Sequence, residues 1–506
     1  MEAIVAVDAG TSGAKAALIT RQGRIVASSE AGYSTRVEGT QVEQNPDDWW
    51  QATCRSLASL LPQAEGLELA GIVLSGQMQD LILIGPEQGP AILYSDTRAQ
   101  REAQQVLEQM GEAELSRVTA NLQDAAGLPA KLLWLKNHQP ERYRRAERLL
   151  LGAHDYLAWR LCGASVTDYT TAATTGLLDF QENRWALPLL ERLGLRADWL
   201  AELAPAEAQV GRVSGEAAQA TGLPEGLPVI HGAGDAATAT LGAGAGAPGC
   251  FYIYLGASGW LATTHTGRPV DPRTGIFNLR HPDPARLILI GPMLTAAGNF
   301  EWLRRQFGEL EIAASRQSGA TAYERLNELA ASAPAGSRGL LYFPYLAGER
   351  APFRDPDARG VFLGLGANTG RADLYRAVLE GVAYAMRTIG LEMLPEGGEA
   401  LDRLNLVGGG ARSKLWAQIF ADVFACPVQV LAEPEHVSAR GAALIGGKAL
   451  GWFDTYRPGE GFFPVQAVYQ PAAAVEHYAR LFEVFRQGYP ALQPVFKALA
   501  RAAAQG

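Results

Sequence analysis

The sequence predicts an α/β protein with two domains of similar construction around a central cleft. The chain has 506 residues, which is more than one compact core normally holds. Strand-like runs alternate with segments of helical periodicity in both halves, a pattern typical of α/β folds. A turn of small residues between two strand-like runs also occurs twice, at 7–15 and 254–260. We place the domain boundary in the glycine- and alanine-rich stretch 242–249, which gives domains 1–245 and 246–506.

The predicted elements are short strands and the helices that follow them. The predicted strands are 3–7, 16–20, 24–28, 71–75, 91–94, 227–231 and 404–407, with a hairpin at 251–264. A helix is predicted to begin at Asn45-Pro46-Asp47-Asp48, where Asn45 or Asp47 can cap it. Helical periodicity dominates from Arg98 to Leu161, and Pro471 suits the first turn of a C-terminal helix.

Composition excludes several classes of partner. The net charge is −9, from 44 basic and 53 acidic residues, which argues against a nucleic acid or a membrane surface as partner. The four cysteines, at 54, 162, 250 and 426, form no CxxC pair, so neither a disulfide framework nor a zinc site is indicated. The N-terminus does not read as a signal peptide, and no apolar stretch is long enough to span a bilayer. We therefore expect a cytoplasmic protein.

The two similar turns are predicted to bind phosphate groups. Small residues allow close approach of a ligand and free backbone N–H groups for anion oxygens. The first turn offers Asp8, Gly10, Thr11, Ser12, Gly13 and Lys15, and the second offers Gly256, Ala257 and Ser258. Because only the first turn contains an acid, Asp8 would mark the position of a Mg²⁺ ion, which prefers oxygen ligands. The first turn could also be a plain hairpin turn.

Two further segments are candidates for chemistry. Asp235 follows a strand and precedes a helix of small residues, where a carboxylate can accept a proton from a substrate hydroxyl; it could instead cap the helix. Gly408-Gly409-Gly410 and Ser413 form a glycine run between a strand and a helix. This run lacks the spacing of dinucleotide folds and of P-loops. It could be a flat shelf for a nucleotide base and ribose, or a tight structural turn.

These segments occur in the order seen in the FGGY carbohydrate kinases. The most specific similarity is 360–365 followed by 373–380, which resembles the family's C-terminal signature, and 131–137 resembles the N-terminal signature imperfectly. Within the family the chain most resembles xylulokinases. The segments that are similar to theirs are 45–50, 76–78, Asp96-x-Arg98 and 348–352.

The resemblance implies a duplicated actin-like (ribonuclease H-like) ATPase fold that transfers phosphate from ATP, bound with Mg²⁺, to a sugar hydroxyl. By similarity Asp235 is the catalytic base, Asp8 orients the metal, and both carboxylates are near it. Thr11, Ser12 and Ser258 would contact phosphates, and Gly409, Gly410 and Ser413 would lie near adenosine. The residues implied to line the sugar are Gln77, Met78, Gln79, Asp235, Ala236 and Trp50. A homodimer is also implied.

The chain departs from the xylulokinase pattern in the sugar pocket. Gln79 stands where those enzymes usually have His, and Ala236 stands where they usually have Asn. Sites built on hydroxyl recognition discriminate strongly between substrates, so the acceptor could be xylulose, another ketose, a polyol or a sugar acid. A non-catalytic actin-like ATPase or sugar sensor is a weaker alternative, because Asp8 and Asp235 are both present. Ala257, where Thr is common, keeps its backbone N–H.

Several other residues allow two interpretations. Trp49 and Trp50 are adjacent on one predicted helix, so at least one of them is expected in the core. Asp96 and Arg98 could be an ion pair at the cleft rim or ligands. We expect structural roles for the buried-looking polar residues His154, Asp155 and His231.

Overall fold

The computed structural model describes residues 1–86, 88–394, 401–459 and 461–503. The strands are β1 (Glu2–Ala9), β2 (Gly13–Thr20), β3 (Ile25–Gly32), β4 (Arg36–Glu38), β5 (Gln41–Gln44), β6 (Glu68–Gly76), β7 (Met78–Ile84), β8 (Ala91–Ile92), β9 (Arg148–Gly152), β10 (Val166–Asp168), β11 (Leu178–Asp179), β12 (Arg184–Trp185), β13 (Glu202–Ala204), β14 (Gln209–Arg212), β15 (Pro228–Gly234), β16 (Cys250–Leu255), β17 (Gly259–His265), β18 (Phe277–Arg280), β19 (Leu287–Met293), β20 (Leu341–Phe343), β21 (Val361–Leu363), β22 (Arg403–Val407), β23 (Val428–Leu431) and β24 (Val465–Tyr469). The α-helices are α1 (Pro46–Leu60), α2 (Gln100–Met110), α3 (Glu112–Thr119), α4 (Leu128–His138), α5 (Pro140–Arg145), α6 (Ala153–Cys162), α7 (Tyr169–Thr174), α8 (Leu187–Arg192), α9 (Gly215–Thr221), α10 (Asp235–Gly242), α11 (Ala297–Phe307), α12 (Glu309–Ser318), α13 (Ala322–Ala331), α14 (Arg371–Met393), α15 (Lys414–Phe424), α16 (Val437–Ala449) and α17 (Val475–Ala503).

Two large sheets share one topology. The first has the order β14-β15-β6-β1-β2-β3 and the second the order β18-β19-β17-β16-β22-β23-β24. In each sheet an antiparallel meander is followed by two parallel strands: β1, β2, β3, β6 and β15 correspond to β16, β17, β19, β22 and β23. The two predicted phosphate turns are therefore equivalent, since each is the hairpin tip between the first and second strands of its sheet.

Two helices cross between the sheets and connect the halves. Helix α10 follows β15, and α16 follows β23. Their backbones touch at two glycines: a Cβ on Gly242 would lie 1.7 Å from the Val437 carbonyl oxygen, and a Cβ on Gly441 would lie 1.8 Å from that of Thr238. Helix α16 contributes to the core beneath the first sheet although it comes from the second half of the chain. Because Asp235 is the first residue of α10, the crossing places it at the junction of the halves.

The structure differs from the sequence-based prediction in two places. The predicted helical stretch from Arg98 to Leu161 is interrupted by strand β9, which pairs with β7. The apolar run Leu149–Leu151 is completely buried, and such a short run is ambiguous between buried strand and helix. The C-terminal helix begins at Val475, so Pro471 lies before its first turn. The other predicted strands occur, although β8 spans only Ala91–Ile92.

The described helices include none that is long and apolar enough to cross a bilayer. All four cysteines are free, as their scattered positions predicted.

Candidate active site

Asp235 stands where β15 ends and α10 begins. The residue that caps α10 is Gly234, so Asp235 lies one position inside the helix and the capping interpretation is wrong. Gly234 has no room for a side chain, because a Cβ there would lie 2.0 Å from the sulfur of Met78. The absence of a side chain at 234 thus lets Met78, which is predicted to line the sugar, pack directly beside Asp235.

Ser75 and Thr238 lie between α10 and Asp8. The Ser75 hydroxyl donates to Asp8 Oδ1 at 2.8 Å and lies 2.8 Å from the Thr238 hydroxyl. Thr238 is one turn along α10, and its single hydroxyl proton can go either to Ser75 or to the backbone carbonyl of Asp235, 3.2 Å away. The charge of Asp8 acts on Asp235, so the two predicted catalytic carboxylates belong to one site, which is built from β1, β6 and α10.

The electrostatics of this pair suit a divalent cation. Burial and the nearby charge of Asp8 raise the pKa of Asp235 to about 7. Burial also raises the pKa of Asp8, against the hydrogen bond from Ser75 and the charge of Lys15, its cross-strand neighbour. Two buried carboxylates whose pKa values are both raised leave negative charge without full compensation. Mg²⁺ binds such oxygen ligands, so the donor set fits the metal that the resemblance implies.

A buried cluster of two histidines and two aspartates lies behind Asp235. His154 Nε2 is 2.9 Å from Asp168 Oδ2 and 3.2 Å from Asp155 Oδ1, and His231 Nε2 is 3.1 Å from the same Asp155 oxygen. The ligand atoms lie within 4.8 Å of one another, as in a metal site. They already hydrogen-bond one another, however, so we assign the cluster as a buried hydrogen-bonded network. This arrangement gives His154, Asp155 and His231 the partners expected of structural residues.

The cluster places a positive charge, that of His154, near Asp235. Burial opposes the charged form of His154, but Asp155 and Asp168 outweigh it and raise the pKa of His154 to about 8. Burial likewise opposes ionisation of Asp168, but the hydrogen bond and charge of His154 hold its pKa at about 2. Asp168 also accepts a hydrogen bond from the backbone of Gly234 at 3.3 Å. The charge on His154 lowers the pKa of Asp235, and so favours the ionised form of this carboxylate.

The predicted sugar-lining residues follow the end of β6. Gln77 donates to Gln44 Oε1 at 2.8 Å, and its own Oε1 is buried without a partner among the described residues. Gln79 has a φ of +62°, a conformation that non-glycine residues adopt mainly at special sites. Its amide donates to the Ala126 carbonyl at 3.3 Å. The strained backbone at position 79, where the chain departs from the xylulokinase pattern, therefore directs the Gln79 side chain toward the N-terminus of α4.

The sequence analysis missed two buried titratable residues near Gln79, which are Asp80 and Lys131. Asp80 is completely buried, accepts from the Tyr94 backbone at 3.0 Å, and has one oxygen without a partner among the described residues. Burial raises its pKa well above the usual value, and the charge of Asp235 adds to this. Burial lowers the pKa of Lys131 to about 8, although Asp80 opposes this. Lys131 lies in the imperfect N-terminal signature, but only the fold brings it to Asp80.

Trp49 and Trp50 lie in different surroundings. Trp49 is fully buried and donates to Gln44 Oε1 at 2.8 Å, so it is the tryptophan linked to Gln77. Trp50 is 7% exposed, and its ring lies 4.6 Å from the guanidinium of Arg160. Within the described residues no hydrogen bond or ring contact joins Trp50 to the predicted sugar-lining segment, so its substrate role stays a prediction.

Of the two interpretations of Asp96 and Arg98, the structure favours the ion pair. Arg98 pairs with Asp96 and with Glu43 at 2.7 Å.

The first predicted phosphate turn is an exposed hairpin tip, and hydrogen bonds hold its backbone in place. The N–H of Gly10 donates to the Gly13 carbonyl at 3.1 Å. Gln44 holds the Thr11 carbonyl at 2.8 Å, while Thr11 and Ser12 stay exposed. A Cβ on Gly13 would lie 2.8 Å from the Ala31 carbonyl oxygen, so this position is restricted to glycine. Lys15 follows on β2, opposite Asp8.

The second turn and the glycine run line one cavity. This cavity of about 520 Å³ is lined by Gly256, Ala257, Gly409, Gly410 and Ser413, together with aromatic residues. The aromatic residues are Phe300, Tyr323 and Trp416. Ser258 is exposed at the hairpin tip. Among the described residues, none from the first turn lines the cavity. The space, the aromatic walls and the glycine shelf are suited to a nucleotide base and ribose.

The positions of two residues explain the shape of this shelf. Gly408 has a φ of +92°, and a Cβ there would lie 2.8 Å from the Leu255 carbonyl oxygen. The glycine run can therefore lie directly against the end of β16. Ser413 caps α15 by accepting from the Trp416 backbone at 3.1 Å. The structural-turn interpretation and the shelf interpretation are thus compatible.

Two protein-family models match the chain, and both describe the FGGY family of carbohydrate kinases. The N-terminal domain model matches residues 3–242, and the C-terminal domain model matches residues 252–450. A xylulose kinase of Bacillus subtilis (strain 168) is 30% identical over 497 residues, which covers 97% of each chain. A gluconokinase of the same organism is 29% identical over 457 residues, which covers 90% of this chain and 88% of the relative.

A solved structure extends the similarity to three dimensions. The ligand-bound xylulose kinase from Lactobacillus acidophilus matches with a TM-score of 0.88 and 27% identity, over 99% of this chain and 100% of that chain. The fold is thus the duplicated, two-domain actin-like ATPase fold that the resemblance implied. The chain belongs to the FGGY family of carbohydrate kinases and is an ATP-dependent sugar kinase.

Proposed function

We propose that the chain transfers the γ-phosphoryl group of ATP to a hydroxyl of a small, xylulose-like sugar, with Asp235 as general base. The observation that supports this most is the position of Asp235: it stands at the junction of the halves, where burial and the charge of Asp8 raise its pKa to about 7. A base is most effective when its pKa lies near the working pH.

The proposed reaction assigns each half of the chain a task. Residues 246–506 hold the adenosine in the cavity beside Gly409 and Gly410, and the two hairpin tips hold the phosphates. Residues 1–245 hold the sugar. The sugar hydroxyl oxygen forms a bond to the γ-phosphorus, the bond from that phosphorus to the bridging oxygen of ADP breaks, and Asp235 accepts the hydroxyl proton. Phosphoryl transfer asks mainly for alignment and charge stabilisation. Mg²⁺ held near Asp8 and Asp235 would neutralise phosphate charge.

The acceptor pocket combines features that favour a ligand with several hydroxyls. Gln77 Oε1 and one Asp80 oxygen are buried acceptors without partners among the described residues, and a sugar hydroxyl can donate to either. An unpaired buried polar group costs about 1–3 kcal/mol. A screen of ketoses, polyols and sugar acids in a coupled ADP-release assay tests the proposal. A clear preference for a polyol or a sugar acid over D-xylulose would replace the acceptor but keep the reaction. No stimulation by any of them, with ATP still bound, would favour an ATPase or sensor instead.

The two departures in the sugar pocket predict a gain of function. We expect the double variant Gln79→His/Ala236→Asn to raise kcat/KM for D-xylulose about 10-fold, since each restored hydrogen bond contributes about 0.5–1.5 kcal/mol. Histidine tolerates the positive φ of position 79 better than most residues. The measurement is kcat/KM for D-xylulose relative to the best acceptor of the wild type. Gln79→Ala is the control and should lower kcat/KM both for D-xylulose and for the best acceptor of the wild type. An unchanged ratio in the double variant would remove these positions from acceptor recognition.

His154 predicts a shift in the pH profile. We expect kcat/KM to fall below about pH 7, where Asp235 becomes protonated. His154→Gln removes the positive charge that lowers the pKa of Asp235, so the acid limb should move to higher pH. The profile is measured at fixed Mg²⁺ and ATP. His231→Gln, which changes the neighbouring ring, is the control. Superposable profiles for wild type and His154→Gln would show that this charge does not act on the base.

We also propose a homodimer in the cytoplasm, supported by the resemblance alone. Light scattering that gives the mass of one chain, 54.0 kDa, would refute the dimer.

A further inference from the structure

A second cavity lies between the two halves of the chain, and its lining shares no residue with the site described above. Its volume is about 910 Å³. The first half contributes Arg117, on α3, and Phe180. The second half contributes Arg268 and Arg273, from the connection between β17 and β18, and Arg280, from β18. The proposed function leaves this cavity without a role.

The lining is strongly basic in an acidic protein. Four arginines line the cavity, and Asp271 is the one acidic residue among the lining residues. The whole chain has a net charge of −9. Arg273 forms a bidentate pair with Asp271. The positive charges of the other three guanidinium groups are not balanced by an acidic residue of the lining. Glu112 acts on Arg273 from outside the lining. A local excess of one sign in a concave surface concentrates ligands of the opposite sign.

Within the part of the chain that the structure describes, three of the guanidinium groups have no carboxylate partner. Arg117 and Arg268 are exposed, and neither forms an ion pair within the described part of the chain. Arg280 is half-buried, donates to Asn183 Oδ1 at 3.0 Å, and lies 5.2 Å from the centre of the Phe180 ring. Burial lowers the pKa of Arg280, and its contacts with Asn183 and Phe180 fix the guanidinium without a compensating carboxylate among the described residues. An arginine fixed in this way is preorganised to receive an anion.

We propose that this cavity, which we call the arginine cavity, binds a phosphorylated sugar. Guanidinium groups bind phosphate oxygens through paired hydrogen bonds. The volume lies in the range of small-molecule sites and exceeds what a single phosphate needs. Ser116 and Gln181, also in the lining, offer hydrogen bonds to sugar hydroxyls, and the ring of Phe180 offers an apolar wall. The site does not depend on the proposed kinase reaction.

The cavity lies beside contacts that join the two halves of the chain, so a bound ligand would touch both halves. Arg280 belongs to β18, and its carbonyl accepts a hydrogen bond from Thr170 of the first half at 2.7 Å. Asn121 and Asn278 join the halves nearby through bonds of 2.8 and 2.9 Å. A ligand held by Arg117 from one side and by Arg268 from the other would add a further link. Binding to the folded state alone raises its stability.

Calorimetric titration of the full chain with D-ribose 5-phosphate tests the proposal. ADP is present at saturation, so that the nucleotide cavity is occupied. We expect saturable binding to the wild type, and at least about tenfold weaker binding to Arg117→Glu and to Arg268→Glu, since each replacement reverses a charge at the site. Ligand should also raise Tm of the wild type by about 2 °C, and this rise should disappear in both variants.

The controls separate this site from the active site and from free phosphate. Arg480→Glu reverses an exposed charge on α17, outside the cavity, and should bind as the wild type does. Equal binding by all three arginine variants, or loss of binding in Asp235→Asn alone, would place the ligand in the active site and overturn the proposal. Inorganic phosphate that binds as tightly as the sugar phosphate would overturn the assignment to a sugar. Absence of binding to the wild type at millimolar ligand would overturn the site altogether.

Discussion

Replacing Asp235 by alanine is expected to abolish sugar-dependent ADP formation while ATP still binds. A positioned general base contributes about 10²–10⁴-fold to rate, and the other buried carboxylates of the site are poor substitutes: Asp8 accepts a hydrogen bond from Ser75, and burial raises the pKa of Asp80 well above its usual value. The loss should therefore fall on kcat rather than on the KM for ATP. A coupled ADP-release assay measures the first quantity, and titration with a fluorescent ATP analogue measures the second.

Asp235→Asn provides a variant of the same shape that isolates the charge. Its activity should be as low as that of the alanine variant, because an amide does not accept the proton. Its stability should rise at pH 8: the folded-state pKa of Asp235 is raised above the usual value of 3.8 to about 7, so the ionised carboxylate destabilises the fold at that pH. Asp198→Asn, at an exposed carboxylate paired with Arg196, is the control. Turnover retained in either Asp235 variant would show that another group removes the proton.

The sequence allowed the duplicated core to be predicted, and it made Asp8 and Asp235 candidates, because these signals are local. Each hairpin is an apolar run, a turn of small residues and a second run, and these features determine the pairing of β1 with β2 and of β16 with β17. Asp235 became a candidate base because a lone acid among glycine and alanine at the end of a strand has few structural explanations. The glycine run at 408–410 gave only a weak signal, and it was the cavity beside it that showed what it lines.

The remaining parts of the site depend on contacts between segments that are far apart in the chain. Gln44 connects Trp49, Gln77 and the Thr11 carbonyl, although nothing in its local sequence distinguishes it from any other glutamine at the end of a strand. Asp80 and Lys131 are 51 positions apart in the numbering and act on each other only once both are buried. Strand β9 was missed for a related reason: its partner β7 determines its structure, and a buried apolar run alone does not distinguish strand from helix.

Gly441→Ala is expected to destabilise the protein and to displace the catalytic base. The added methyl group would lie 1.8 Å from the carbonyl oxygen of Thr238 and 2.6 Å from its carbon. Both atoms are backbone, so no side-chain rotation can relieve the overlap. Alanine favours a helix over glycine by about 1 kcal/mol, but inserting a methyl into a packed core costs about 1–3 kcal/mol, and more where backbone must move. The overlap therefore outweighs the gain in helix propensity, and α10 must shift away from α16.

The shift of α10 links this stability effect to catalysis. Asp235 is the first residue of α10 and Thr238 lies one turn later, so a displacement at Thr238 also moves the carboxylate and separates Thr238 from Ser75, the residue that donates to Asp8. A misplacement of about 1 Å in a catalytic group can lower the rate about 10²-fold. Gly441→Ala should thus lower Tm by a few degrees and kcat well beyond the fraction of protein unfolded at the assay temperature. Gly459→Ala is the matched control, because a Cβ there would meet no atom within 4 Å. A Gly441→Ala enzyme with the Tm and kcat of the wild type would mean that the helix crossing does not hold the base in position.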